Sequence, residues 1–139
     1  MRLPFLLILF AGHGLSCAAA DVSGAGKASI ERCSVGSLSQ SSSCLYNLYV
    51  KRDKELNNTY QKLVGLLENP KLLKNTQTTW IKFRDQSCDF ETSGIDKVGS
   101  LYYYKQSVCL VSLTEKRIVD LKAYLSCVDL DCPTRITAK

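Results

Sequence analysis

Three stretches of the chain place apolar residues at helical spacing with polar residues between them. In the first, Leu45, Tyr49, Leu56, Tyr60, Leu63 and Leu67 recur at steps of three, four and seven, and Lys51, Asp53, Lys54, Glu55 and Lys62 fill the gaps. That period puts one apolar stripe on a helix of about 25 residues. It should begin near Ser41, with the serines before Cys44 supplying the N-cap, and stop at Asn69-Pro70. A second helix is predicted from Lys71 to about Phe90, with Leu73, Trp80, Phe83 and Ser87 on one face. The connection is so short that the second helix must run antiparallel to the first. The segment from Thr92 to Ser100 contains Gly94 and Gly99 and reads as a loop. A third helix is predicted from about Leu101 to Leu125, where Leu101, Tyr104, Val108, Val111, Ile118, Leu121 and Leu125 keep the period. The pattern predicts an all-α fold, a small three-helix antiparallel bundle.

The ends read differently. Arg2, the apolar run from Leu3 to Gly12 and the small residues Ala18, Ala19 and Ala20 form the pattern of a signal peptide over residues 1–20. The apolar run is too short to cross a bilayer core of ~30 Å, and no later stretch is long and apolar enough, so no membrane span is expected. Gly14 stands three residues before Cys17, where a lipidation site takes an aliphatic residue, so the reading favours cleavage near Ala20 over a lipid anchor at Cys17. Residues 21–42, rich in Ser, Gly and Ala, are expected to be a flexible lead-in that Cys33 ties down. Residues 43–126 form the helical domain, and 127–139, with Cys127, Cys132 and Pro133, a disulfide-stapled tail. A periplasmic or secreted location follows.

Cleavage after Ala20 would change two counts. It removes one of seven cysteines and leaves Cys33, Cys44, Cys88, Cys109, Cys127 and Cys132, an even number in a short exported chain and so a disulfide framework. Six cysteines allow fifteen connectivities. Local separation favours Cys33 with Cys44 and Cys127 with Cys132, leaving Cys88 with Cys109, although spacing alone does not decide. Cleavage also removes His13, the sole histidine. Histidine-based nucleophile activation, proton shuttling and the usual catalytic zinc sites then have no ligand or base, and no cofactor is expected. The formal charge of +5 falls to +4 with the loss of Arg2, and the basic residues are interspersed with acids, which is no nucleic-acid footprint.

Two clusters are more particular than amphipathicity needs: Asp53-Lys54-Glu55-Leu56-Asn57-Asn58-Thr59-Tyr60, and Gln77-Thr78-Thr79-Trp80-Ile81-Lys82-Phe83-Arg84-Asp85-Gln86-Ser87-Cys88. With Cys109 and Leu113-Thr114-Glu115-Lys116-Arg117-Ile118-Val119-Asp120-Leu121, they resemble the LprI-like lysozyme-inhibitor family. The motif residues are Asp53, Leu56, Asn57, Tyr60, Gln77, Trp80, Arg84, Asp85 and Arg117. They read better as architecture than as chemistry. In a hairpin turning near Pro70, Asp53 lies opposite the region of Arg84, and the two should pair while Asn57 and Gln77 satisfy buried polar groups. The competing reading makes Asp53, Arg84 and Asp85 a binding or acid/base site.

The resemblance implies a protein partner, lysozyme, and no catalytic residue. The expected contact is the loop from Thr92 to Ser100, flanked by Tyr102 and Tyr103. Three consecutive helical positions, Tyr102 to Tyr104, cannot all face inward, so one tyrosine must be exposed. Lys97, or the hydroxyl of Ser93 or Ser100, would meet the two carboxylates of a retaining glycosidase. Animal lysozymes are themselves basic, so affinity for one would have to come from local fit. The alternative is an envelope interaction or immunity protein that binds another secreted toxin or a wall component. Nothing in the pattern sets the oligomeric state.

Overall fold

The chain is described by a computed structural model over residues 23–127 and Cys132. The expected leader with His13 and Cys17, and the tail beyond Cys127 apart from Cys132, lie outside these residues. The elements are α1 (Ser23–Cys33), α2 (Leu38–Leu66), α3 (Lys71–Glu91) and α4 (Ser100–Ser126). The all-α expectation holds, but the bundle has four helices among the described residues, not three.

The additional helix, α1, occupies the Ser/Gly/Ala segment read as a lead-in. Its weak apolar pattern hid it, because tertiary ties, not an amphipathic stripe, hold it in place. The Cys33–Cys44 disulfide joins its last residue to α2, Ser34 and Tyr104 share a hydrogen bond at 3.3 Å between their hydroxyls, and α1 packs on α2 and α4. Gly36, at φ 104°, turns the chain from α1 into α2, and a Cβ there would meet the Gln40 amide oxygen. That oxygen is already engaged. Gln40 Oε1 accepts from the Ser37 N–H at 2.9 Å while Ser37 Oγ accepts from the Gln40 N–H at 3.3 Å, a reciprocal cap that starts α2 at Leu38. The serines at 41–43 therefore lie inside α2, not at its cap.

Helices α2 and α4 form the main packed pair. In an up-down-up chain the first and third long helices run parallel, and the ties between them keep that register. Ser42 Oγ donates to the Ser100 carbonyl at 2.9 Å, Arg52 Nε to Glu115 Oε1 at 2.8 Å, and Lys122 Nζ to Glu55 Oε1 at 2.7 Å. The Lys122 hydrogen bond is the chief reason the Glu55 carboxyl is held below its usual range. Partial burial opposes that shift, and Arg52 reinforces it. The core between the helices is Leu56, Leu63, Ile118 and Leu121, with Tyr60, Leu67, Leu73, Trp80, Tyr124 and Leu125 packed around it. Each such leucine removed from water contributes about 1.5–3 kcal/mol.

Helix α3 returns antiparallel to both, after Asn69 Oδ1 accepts the Lys71 N–H at 3.2 Å. Its inward residues are Leu73, Gln77, Trp80, Arg84 and Cys88, at steps of four, three, four and four, and the fully buried ones are Gln77, Arg84 and Cys88. Phe83, expected on that face, lies off the stripe and is exposed. Cystines join Cys33 to Cys44, Cys88 to Cys109 and Cys127 to Cys132. Among the described residues, no helix is long and apolar enough to cross a membrane.

Candidate functional site

Six of the motif residues, Asp53, Gln77, Trp80, Arg84, Asp85 and Arg117, are linked by contacts between α2, α3 and α4 around Arg84 and Trp80. The Arg84 guanidinium donates from Nη1 to Asp53 Oδ1 at 2.8 Å and from Nε to Asp85 Oδ1 at 2.9 Å, and Nη1 lies 3.5 Å from Thr114 Oγ1. Its central carbon stands 5.4 Å from the ring centroids of both Tyr49 and Trp80. Burial would lower the affinity of this cation for its proton, but the hydrogen bonds to Asp53 and Asp85 outweigh it and hold the group charged. The same burial raises the Tyr49 phenol above its ordinary value, against the pull of Arg84.

Arg117 approaches Trp80 as a second cation, at 5.8 Å, and donates from Nε to Gln77 Oε1 at 3.0 Å. Trp80 thus takes part in two cation–π contacts, each worth roughly 0.5–2 kcal/mol. Asn57 departs from expectation. It is exposed, and it serves its own helix by donating to Asp53 Oδ2 at 3.1 Å, which orients the carboxylate for Arg84. Leu56 belongs to the core and Tyr60 packs beside it.

Chemically this cluster is a clamp. Both carboxylates are engaged by one guanidinium, Asp53 from α2 across the helix interface and the more exposed Asp85 from α3 itself. Among the described residues no group of His, Cys, Asp and Glu side chains could hold a metal ion.

The open surface lies at the end of the bundle where α3 passes into α4. Thr92 is buried and ties the loop to α3, its Oγ1 donating to the Cys88 carbonyl at 2.8 Å. A chain of tight turns follows: Ile95 N–H to the Thr92 carbonyl at 3.0 Å, Val98 N–H to Asp96 Oδ1 at 3.1 Å, and Gly99 N–H to the Asp96 carbonyl at 3.2 Å. The Cys88–Cys109 cystine closes the base. Of the residues expected to meet a partner, Ser93, Lys97 and Ser100 are exposed and Tyr103 is 53% exposed. Tyr102 is only 9% exposed and faces inward. Its ring packs edge-on against that of the exposed Tyr103, with centroids 5.4 Å apart.

Two apolar side chains on this tip escape a reading based on helical period, Phe90 (80% exposed) and Val98 (87%), and Leu101, expected on the inward stripe of the third helix, is exposed instead. Val98 sits in a glycine-bounded loop, where no stripe can flag it. Phe90 ends α3 off its inward face. An apolar residue set between Lys97 and Gly99 in a glycine-bounded loop was the available signal.

No curated protein and no solved structure matches the chain. Residues 17–121 match the family described as the lysozyme inhibitor LprI, a span that takes in the clamp, the cystine at its end and the braced loop. The chain belongs to the LprI lysozyme-inhibitor family.

Proposed function

We propose that this chain is an extracytoplasmic inhibitor that blocks the substrate cleft of a muramidase with the loop between α3 and α4. The observation that carries the reading is the tip itself, where Phe90, Val98 and Lys97 stand in solvent on a backbone held by Thr92 and the Cys88–Cys109 cystine. A large apolar side chain in water is tolerated singly, but several on one braced loop suit a buried contact. Bracing the loop before binding reduces the entropy lost on association. Lys97 then supplies a cation for the paired carboxylates of a retaining glycosidase, with the Ser93 and Ser100 hydroxyls as further donors. The three cystines fit an oxidising location, and a blocker needs no catalytic residue of its own.

The test follows lysis of a Gram-positive cell suspension by an animal lysozyme in the presence of the oxidised protein, with the reduced protein as control. Inhibition by the oxidised form is expected. The paired substitution Lys97→Ala and Val98→Ser should weaken it by about tenfold or more, the effect of removing one interface hot spot. Full lysis at micromolar excess of the oxidised protein rejects the function. Full potency of the double variant rejects the loop as the contact.

A further inference from the structure

Beside the tip, a groove of about 590 Å³ runs between the N-terminal turns of α2 and α4. Its volume falls in the roughly 300–1,000 Å³ range of small-ligand clefts. Its lining is unusual for such a cleft: serines, two tyrosines and one asparagine, with no charged side chain. Tyr46 from α2 and Tyr103 from α4 are both exposed, and Tyr103 is fixed edge-on by the buried Tyr102.

The hydroxyls divide into two groups. Ser42 and Ser43 are engaged within the protein: Ser42 Oγ with the Leu38 and Ser100 carbonyls, Ser43 Oγ with the Ser39 carbonyl. Ser107 is different. Only 4% of it is exposed, it lines the groove, and its hydroxyl has no partner among the described residues. The oxygen itself opens on the groove, so water serves it in the free protein and a polar group of a ligand can take that water's place. Beside it the Asn47 amide also stands without a side-chain partner among the described residues.

From this arrangement we infer that the groove binds a neutral saccharide. A pyranose ring presents an apolar C–H face, which suits a tyrosine ring, and an equatorial belt of hydroxyls that both donate and accept. Serine hydroxyls rotate to do either, and the asparagine amide does both at once. Phosphates, nucleotides and acidic glycans would need a cation that the lining lacks, and an apolar peptide would leave the hydroxyl of Ser107 unpaired. The groove shares Ser100 and Tyr103 with the tip, so Tyr46 and Ser107 are the residues that test it separately.

The experiment is a titration of the oxidised full chain, labelled with nitrogen-15, with the N-acetylglucosamine trimer and with cellotriose, followed by two-dimensional NMR. At least one trimer should give saturable shifts centred on Asn47 and Ser107 below roughly 10 mM, well above a dissociation constant of ~1 mM. Tyr46→Ala, at an exposed position that leaves the core intact, should weaken the binding by about tenfold, and Ser107→Ala should weaken it as well. Inhibition of lysozyme by Tyr46→Ala should be unchanged, which keeps this inference distinct from the tip's role. Absence of saturable shifts with both trimers overturns the inference. So do shifts that Tyr46→Ala leaves as they are. Loss of lysozyme inhibition in Tyr46→Ala, with no saccharide response in the parent, assigns the groove to the protein contact and overturns it too.

Discussion

Gln77 and Arg117 form the least balanced contact among the described residues. The Gln77 carbonyl accepts from Arg117 Nε, yet Gln77 Nε2 and Arg117 Nη2 are both buried without a hydrogen-bond partner. Two donors therefore face a shortage of acceptors, while the neighbouring Arg84 has two carboxylates. Gln77→Glu keeps the shape of the side chain and turns the unpaired amide into an acceptor beside a cation. The removed unsatisfied donor and the new charged hydrogen bond outweigh the cost of burying the carboxylate. The expected gain at pH 7 is about 1 kcal/mol, read as a Tm raised by roughly 3–5 °C. Gln77→Leu should move the other way by about 2–4 kcal/mol, because it leaves the guanidinium with no acceptor at Nε. Urea unfolding of the three proteins measures both. A Gln77→Glu protein no more stable than its parent would show that the two donors are already satisfied by solvent.

Among the helices, α3 is held by different forces from the rest. Helices α2 and α4 meet through leucines and isoleucine, whereas the fully buried residues of α3 are Gln77, Arg84 and Cys88. Its attachment depends on the clamp at Asp53 and Arg84 and on the cystine to Cys109. Replacing Cys88 and Cys109 together by serine removes a 21-residue closure, worth about 3 kcal/mol on the chain-entropy account. The loss should be uneven. Hydrogen exchange in the double variant is expected to quicken first in the last turns of α3 and in the loop after Thr92, with the α2–α4 core protected longest. Uniform quickening across all helices would contradict this hierarchy. The same contrast explains which elements the sequence disclosed. Helices α2 and α4 carry long apolar stripes, so period alone located them, and the proline at 70 marked their hairpin partner. Helix α1 has no such stripe and depends on Cys33 and Ser34 for its place, which no local pattern records. The true cap, Ser37 with Gln40, was hidden behind the richer serine cluster that follows it.

For the whole molecule, the residue pattern disclosed the clamp better than the exposed tip. Asp53 and Arg84 face each other because a hairpin turning near Pro70 puts them at matching heights, an arithmetic available from spacing alone. The tip depends on which side chains a loop leaves in water, and the groove on two helix ends brought together by the bundle, so neither has a local signature. Charge acts at this same scale. The formal charge is positive with or without the leader, at +5 for the full chain, and an animal lysozyme is basic as well. Two basic proteins repel at long range even if Lys97 finds a carboxylate at contact. Salt screens the long-range part first, since the Debye length falls from about 30 Å at 0.01 M to about 10 Å at 0.1 M. The association rate with such a lysozyme should therefore rise by a few-fold over that interval, while dissociation, governed by the buried tip, changes little. Stopped-flow or surface-binding kinetics across the salt series reads both rates. An association rate that falls with salt would mean that the lysozyme meets a local acidic face of this chain, and the braced loop would then be the wrong end of the molecule.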